Sequence, residues 1–189
     1  ELEKVVGGAK DPSWRPGGVK KSTRVPGSAV DEKFAEAQYK KRISQTPVGA
    51  GENARGFWTG ARGESMFIPY KPEIKALLKK YGLEGIPYKN GEVDFSFAAE
   101  HQVTISGMCA GERARKINYM LADEELAKKL GFTKQDILSY RKAKKLTWHE
   151  CNDMKTMQLV STKINEFFGH TGGVGEINLL FDLLEGRLS

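Results

Sequence analysis

The feature that most constrains this chain is a change of hydrophobic pattern that begins at residue 146. Leu146–Cys151 and Thr156–Val160 are short strand-like segments, and a polar turn separates them. Ser161 or Thr162 can cap the following helix, which carries apolar residues at helical spacing and ends at Gly169. The order strand, turn, strand, helix predicts a ββα unit late in the chain.

The rest of the chain predicts further helices around this unit and an irregular N-terminal region. Gly and Pro punctuate residues 1–50, which we interpret as a partly flexible linker or arm with one short helix over Asp31–Ile43. Residues 51–189 are expected to form the globular domain. Within it the pattern predicts helices over 72–82, 110–120, 123–130, 133–144 and 175–184, a strand at 103–105, and a hairpin turn at Asn90-Gly91. The expected fold class is α+β, with the ββα unit as its core and helices surrounding it.

Bulk composition permits a packed core and indicates a basic surface. Hydrophobic residues make up 39% and charged residues 29% of the chain, values at which wholesale disorder is not expected. The net charge of +6 favours contact with phosphate backbones or with an acidic protein partner. Cys109 and Cys151 are expected to be free, partly buried thiols, because two such cysteines make neither a disulfide framework nor a zinc-binding CxxC pair.

The sequence contains no recognisable membrane span or secretory signal. No segment reaches the roughly 18 consecutive apolar residues that a membrane span requires. The N-terminus, Glu1-Leu2-Glu3, lacks the apolar segment of a signal peptide. Because the chain begins without Met, we interpret it as a fragment, either an excised domain or a processed product.

Two of the three histidines flank the ββα unit. His149 stands near the end of the first strand and His170 at the end of the helix, whereas His101 is expected at the surface. Folding the hairpin onto the helix would bring His149, His170 and Asn165 together. Glu150 would then lie next to His149. Imidazole and oxygen donors in one pocket suit Zn, Ni, Mn or Mg, although two unrelated surface or capping histidines fit the spacing equally well.

Three short motifs resemble the WHH branch of the HNH/endonuclease VII toxin nucleases. That branch has a TWHH start, an MQLVP middle and an HTGG end, and the matching segments are Leu146-Thr147-Trp148-His149-Glu150, Thr156-Met157-Gln158-Leu159-Val160 and Gly169-His170-Thr171-Gly172-Gly173. Upstream, Gly60–Glu64 and Val93–Ser96 are similar to the RGE and PDFS elements of related bacterial toxin domains. The resemblance implies that residues 51–189 form an HNH-like nuclease domain of a polymorphic toxin.

The chain departs from this branch at three positions. The second histidine of the motif is Glu150, the helix histidine is Asn165, and Ser161 replaces the usual proline. A carboxylate and an amide oxygen can both bind metal, so His149, Glu150, Asn165 and His170 remain candidate ligands for one divalent ion. The added oxygen donors favour Mg or Mn, with Zn or Ni as alternatives.

The resemblance implies metal-assisted hydrolysis of a phosphodiester bond. The ion would bind the scissile phosphate and stabilise the charge that develops on the leaving 3′ oxygen. His149 is assigned as the general base that removes a proton from the attacking water, while Glu150, Asn165 and His170 hold the metal. The reversed assignment, with His149 on the metal and Glu150 as the base, stays open.

Other polar residues are candidates for substrate contact. An arginine beside a flexible glycine can clamp a phosphate, and a nearby carboxylate can orient it, so Arg62 and Glu64 join the catalytic candidates; a salt-bridged turn is the alternative. Asp94 is expected to be a structural hydrogen-bond acceptor, with a place in the site as the alternative. Trp148 is expected to pack in the core behind the site, with stacking on a base as the alternative. The basic run before the first strand is a candidate nucleic-acid contact, or else a solvated helix end, and comprises Arg141, Lys142, Lys144 and Lys145.

The function implied by the resemblance is that of an antibacterial DNA endonuclease. Such toxin or effector domains are secreted or delivered by a bacterial secretion system, act in the cytoplasm of the target cell, and follow a parent toxin or secretion module in the chain. The expected partners are DNA and a cognate immunity protein, whose acidity would complement the basic toxin. Two other functions remain open, namely a ribonuclease of the same fold and a non-cleaving module that binds nucleic acid or an immunity protein.

Overall fold

The protein is an α+β structure of helices packed against two antiparallel sheets, as the sequence predicts. The computed structural model describes residues 29–109, 111 and 113–184. Within these residues the helices are α1 (Ala29–Gln45), α2 (Pro72–Lys79), α3 (Ala114–Leu130), α4 (Lys134–Lys144), α5 (Thr162–Phe167) and α6 (Gly173–Leu184). The strands are β1 (Gly56–Trp58), β2 (Met66–Pro69), β3 (Ile86–Lys89), β4 (Glu92–Val93), β5 (His101–Thr104), β6 (Leu146–Glu150) and β7 (Thr156–Ser161).

The first sheet has the strand order β1-β2-β3-β4 and is built from consecutive antiparallel strands. The predicted hairpin turn joins β3 to β4, and both Asn90 and Gly91 have positive φ, as a tight turn of this kind requires. Helix α2 begins at Pro72 and buries Ile74 and Leu78. Strands β1 and β2 were not predicted, because segments of three and four residues are too short to show a period.

The second sheet carries the predicted ββα unit. Its strand order is β5-β7-β6, and β6, β7 and α5 follow one another in the chain. In the β6–β7 register, His149 pairs with Gln158 and Trp148 pairs with Leu159. One face of the sheet packs on α3 and α4 through a core that includes Trp148, and the other packs on a core that includes Val160 and Phe168.

Helix α3 differs from the prediction of two separate helices over 110–120 and 123–130. It is continuous from Ala114 to Leu130, and residue 110 lies outside the described residues. Asn118, Ala122 and Leu126 are all buried, and their four-residue spacing places them on one face of a single helix. No Gly or Pro interrupts residues 114–130, so nothing in the local sequence stops the helix.

Helix α1 includes the short helix predicted over Asp31–Ile43 and is tied to the rest of the molecule by buried polar contacts. The Glu176 carboxylate in α6 accepts hydrogen bonds from Gln38 Nε2 at 2.7 Å and Arg42 Nε at 2.6 Å. Arg42 also lies 3.4 Å from Glu92. The C-terminal end of α1 reaches Gly169, where an added Cβ would come within 2.3 Å of the Gln45 carbonyl oxygen.

Candidate functional site

Strand β6 presents His149 to one face of its sheet and the two flanking residues to the other. Side chains alternate along a strand, so Trp148 and Glu150 share a face that His149 does not. Trp148 belongs to the core beneath α3 and α4, and its indole N–H donates to Asp123 at 2.8 Å. The His149 ring instead packs edge-on against Phe95, with ring centroids 4.9 Å apart.

His149 and His170 form a direct imidazole pair. His149 Nδ1 lies 3.1 Å from His170 Nε2. His170 Nδ1 lies 2.6 Å from the carbonyl oxygen of Phe168, which can only accept, so this nitrogen carries the proton. In its neutral form, His170 therefore directs a lone pair from Nε2 toward His149. The predicted meeting of the two histidines is present, and a backbone carbonyl fixes the tautomer of one of them.

Apolar and amide groups enclose this pair. Phe95 contacts both rings edge-on, with centroid distances of 4.9 Å to His149 and 5.6 Å to His170. The side-chain oxygen of Asn165 is buried, and its side chain interacts with the His149 ring. An amide oxygen beside two imidazoles is a further group that could bind a metal ion.

Burial keeps both imidazoles neutral. It lowers the pKa of His149 well below its ordinary value, the neighbouring His170 adds to the effect, and Asn165 opposes it. Burial also lowers the pKa of His170; the Phe168 carbonyl opposes this, and the positive charge of Arg115 contributes to it. Neutral imidazole is the form that binds metal ions.

The structure does not bring Glu150 to the histidine pair. Its carboxylate accepts a hydrogen bond from Asn118 Nδ2 at 2.9 Å, and its second oxygen lies 3.7 Å from Arg115 Nε. Only 6% of Glu150 is exposed, and the strand pleat directs it away from His149. The predicted set of four ligands is therefore divided between two faces of the sheet, with His149, His170 and Asn165 on one and Glu150 on the other.

The remaining donor set is small but suited to a divalent ion. Among residues 29–109, 111 and 113–184, no group of three or more His, Cys, Asp or Glu side chains is placed to hold a metal. Two imidazole nitrogens separated by 3.1 Å can both reach one ion, since metal–nitrogen bonds are about 2.0–2.1 Å long. The buried side-chain oxygen of Asn165 is a third possible donor. These residues fit a metal with open positions for substrate or water.

Arg62 and Glu64 hold loops together instead of meeting the histidines. Arg62 donates to the hydroxyl of Thr46 at 2.9 Å and to its carbonyl oxygen at 2.7 Å. Glu64 accepts a hydrogen bond from the backbone N–H of Asn90 at 3.0 Å. Between them, Gly63 has φ +74°, and a Cβ at this position would collide with Ile43. The turn thus braces the end of α1 against the β3–β4 hairpin.

The predicted basic run separates into one buried and three exposed residues. Arg141 is 8% exposed and donates to both oxygens of Asp123, at 2.6 and 2.8 Å, so its guanidinium serves the core instead of a nucleic acid. Lys142, Lys144 and Lys145 are exposed at the end of α4. The three lysines are therefore the part of this run that can reach a phosphate backbone.

Several residues near the site were not singled out from the sequence. Gln158 lies opposite His149 in the β6–β7 register, is fully buried, and has a side-chain oxygen without a hydrogen-bond partner among the described residues. Asn152 donates to the carbonyl oxygen of Thr171 and to Glu176, both at 2.8 Å, and so fixes the loop that follows His170. The pairing of the two strands was a usable signal for Gln158. No sequence signal connects Asn152 with Glu176.

Asp94, Trp148 and the two cysteines are placed as the sequence predicts, whereas His101 is not. Asp94 accepts a hydrogen bond from the backbone N–H of Ser96 at 2.9 Å, as a structural acceptor should, and burial raises its pKa. Trp148 is 1% exposed, as predicted. Cys109 and Cys151 are both free and partly buried, also as predicted. His101 is half-buried in β5 and not a surface residue, because this strand pairs with β7 inside the structure.

Comparison with known protein families places the histidine pair inside a recognised nuclease segment. Residues 85–172 match the family of DNase/tRNase domains of colicin-like bacteriocins. This colicin-type segment runs from just before β3 through His170 and includes β6, β7 and α5. It spans slightly less than half of the 189 residues and leaves out α1, α2 and α6. The match supports a nuclease toxin of the bacteriocin type.

No curated protein and no solved structure matches this chain. The family match covers His149, Glu150, Asn165 and His170, whereas Arg62 and Glu64 lie outside it.

No helix in the described part of the chain is both long and apolar enough to cross a membrane.

Proposed function

We propose that this protein is a metal-dependent endonuclease of HNH type that cleaves DNA and acts as an antibacterial toxin domain. The observation that carries the proposal is the imidazole pair, with His149 Nδ1 and His170 Nε2 3.1 Å apart and the buried Asn165 side chain interacting with His149. The colicin-type match over residues 85–172 supports a nuclease and gives the pair its chemical context.

His149, His170 and Asn165 would hold the metal ion. When bound, the ion would act as a Lewis acid on the scissile phosphate. The Phe168 carbonyl holds the His170 ring by its Nδ1 proton, and Phe95 packs against both rings, so neither imidazole needs a large reorientation. Because Glu150 is directed to the other face, two nitrogens and an amide oxygen remain as donors. This set favours Zn, Ni or Mn over Mg.

The arrangement favours His149 as a metal-holding residue over its assignment as general base. Its ring is 2% exposed and its Nδ1 faces the nitrogen of a second neutral imidazole. A general base must reach the water that it deprotonates, and a buried ring in this position offers little access. Of the two assignments that the sequence left open, the one with His149 on the metal agrees better with this geometry.

The biological setting is part of the same proposal. A colicin-like nuclease domain is expected to enter a target cell after secretion, to meet DNA there, and to be bound by a cognate immunity protein in the cell that makes it. The net charge of +6 suits both DNA and an acidic inhibitor.

Cleavage of plasmid DNA and of total RNA by the purified chain tests the proposal. Metal-free protein should be inactive, and Zn, Ni or Mn should restore DNA cleavage. His149→Ala should reduce the rate by at least about 100-fold, the order expected when a group central to the chemistry is lost. His101→Asn, at the third histidine, is the matched control and should remain active. Cleavage of RNA alone would assign a ribonuclease, and DNA binding without cleavage under any metal would contradict the nuclease proposal.

A further inference from the structure

A second polar cluster lies on the opposite face of β6 from the histidine pair. Arg115, the second residue of α3, has a side chain that is 72% exposed, and its Nε lies 3.7 Å from Glu150 Oε2. This separation is longer than a hydrogen bond, so the two groups form an ion pair without direct hydrogen bonding. The guanidinium faces solvent with its donors available to a ligand.

Glu150 is held much more firmly than a carboxylate in an ordinary surface ion pair. Asn118, which is fully buried, donates to Glu150 Oε1 at 2.9 Å and accepts from the backbone N–H of Cys109 at 2.8 Å. Both ends of the Asn118 amide are therefore engaged, and the carboxylate has one fixed orientation. A buried carboxylate is costly unless it is paired, and the exposed Arg115 provides the nearby charge.

This cluster lies next to the loop that carries His170. A Cβ added to Gly172 would come within 3.0 Å of the Glu150 carbonyl oxygen, so the loop packs directly against the end of β6. Arg115 is also close enough for its positive charge to lower the pKa of His170. An exposed guanidinium, a fixed carboxylate and the histidine loop are thus neighbours at one end of the sheet.

We propose that Arg115 binds a backbone phosphate of the DNA beside the histidine pair, and that Glu150 is the residue that positions it. The inference rests on the proposed nuclease function and names a substrate contact for the same site. A guanidinium presents donors in a fixed fork that matches two phosphate oxygens, and a fixed carboxylate behind it limits its orientations. In this account Glu150 is neither a metal ligand nor the general base.

Binding of DNA without metal tests the phosphate contact independently of cleavage. The affinity for a short fluorescein-labelled duplex, followed by anisotropy in EDTA, should fall about tenfold in Arg115→Ala. The slope of log affinity against log salt should decrease by about one. Lys116→Ala removes an exposed positive charge from the next position of α3 and is the matched control. Equal losses in the two variants would overturn the proposal, because they would show a general effect of charge.

Steady-state cleavage tests the role of Glu150. Glu150→Gln keeps an oxygen for Asn118 but loses the charge that positions Arg115, so KM should rise about threefold or more while kcat stays within about twofold of wild type. Metal affinity should be unchanged. A fall in kcat at constant KM would assign Glu150 to the chemical step and overturn the positioning role. If wild-type protein binds the duplex through Arg115 but never cleaves it, the nuclease proposal fails while the phosphate contact stands.

Discussion

The burial of the His149 ring and the cost of protonating it follow from where the strand places this side chain. The side chain is 2% exposed, packs against Phe95 and faces the nitrogen of His170. Burial removes the water that would stabilise an imidazolium ion, and a second imidazole at 3.1 Å offers no compensating negative charge. The same enclosure that suits a neutral metal ligand therefore makes protonation of His149 costly to the folded protein.

This cost predicts a dependence of stability on pH. The pKa of His149 is lower in the folded chain than in the unfolded chain, so the unfolded state binds the additional proton as the pH falls. The contribution of His149 to stability is complete above a pH of about 6.5 and decreases below it. Between pH 7.5 and 5, the wild type should lose more stability than His149→Gln in urea denaturation, by at most about 2 kcal/mol, the limit set by the ordinary histidine pKa of the unfolded chain. An equal loss in both proteins would show that His149 is not the titrating group.

Glu150 shows how a resemblance can conflict with a local rule. The motif places a second metal-site residue directly after His149, and Glu150 was predicted to be a metal ligand for this reason. The period of two along a strand already predicts that consecutive side chains point to opposite faces. The structure follows the period, with Glu150 on Asn118 and His149 on His170. The contact with Asn118, 32 residues earlier, could not be predicted because it depends on how α3 crosses the sheet.

Helix α1 is attached to the rest of the fold through the buried carboxylate of Glu176. Glu176 is 3% exposed and accepts from Gln38, Arg42 and Asn152, which belong to α1 and to the turn between β6 and β7. Asn152 in turn holds the Thr171 carbonyl. Through these contacts α1 and α6 are joined beside the loop that positions His170.

Removing the arginine from this cluster should therefore destabilise the whole fold. Arg42→Ala leaves the buried Glu176 carboxylate without its cation, and loss of one partner from a buried pair costs about 3–5 kcal/mol. Urea denaturation measures the loss directly. Lys40→Ala, which removes an exposed partner of Glu36 from the same helix, is the control and should have little effect. A similar small effect of Arg42→Ala would show that α1 is not integral to the fold.

The elements that were predicted correctly are those with their own local signals. The Thr133–Asp136 capping box begins α4, the Asn90-Gly91 turn joins β3 to β4, and the change of period marks β6 and β7. Strands β1 and β2 were missed because they are short, whereas the division of α3 in two was wrong on local grounds, since no Gly or Pro interrupts residues 114–130. Local chemistry therefore predicted where most elements begin, while tertiary contacts decided their extent.

The whole molecule carries a candidate metal site and a candidate phosphate site on opposite faces of one strand. The histidine pair packs toward the core of the first sheet, and the Arg115–Glu150 cluster lies at the end of α3. The His170 loop touches both, through His149 on one side and the Glu150 backbone on the other. In the proposed nuclease, this loop would bring the metal and the DNA backbone together, and cleavage would depend on the metal.

Calorimetric titration of metal-free protein with Zn²⁺ measures whether His149 and His170 bind a metal ion. We expect one ion bound per chain by the wild type and by His101→Asn, with no comparable binding of Mg²⁺. His170→Ala should bind Zn²⁺ at least about tenfold more weakly, since it loses one of two imidazole ligands. Affinity in His170→Ala equal to that of the wild type, or absence of binding in the wild type, would contradict a metal site at His149 and His170.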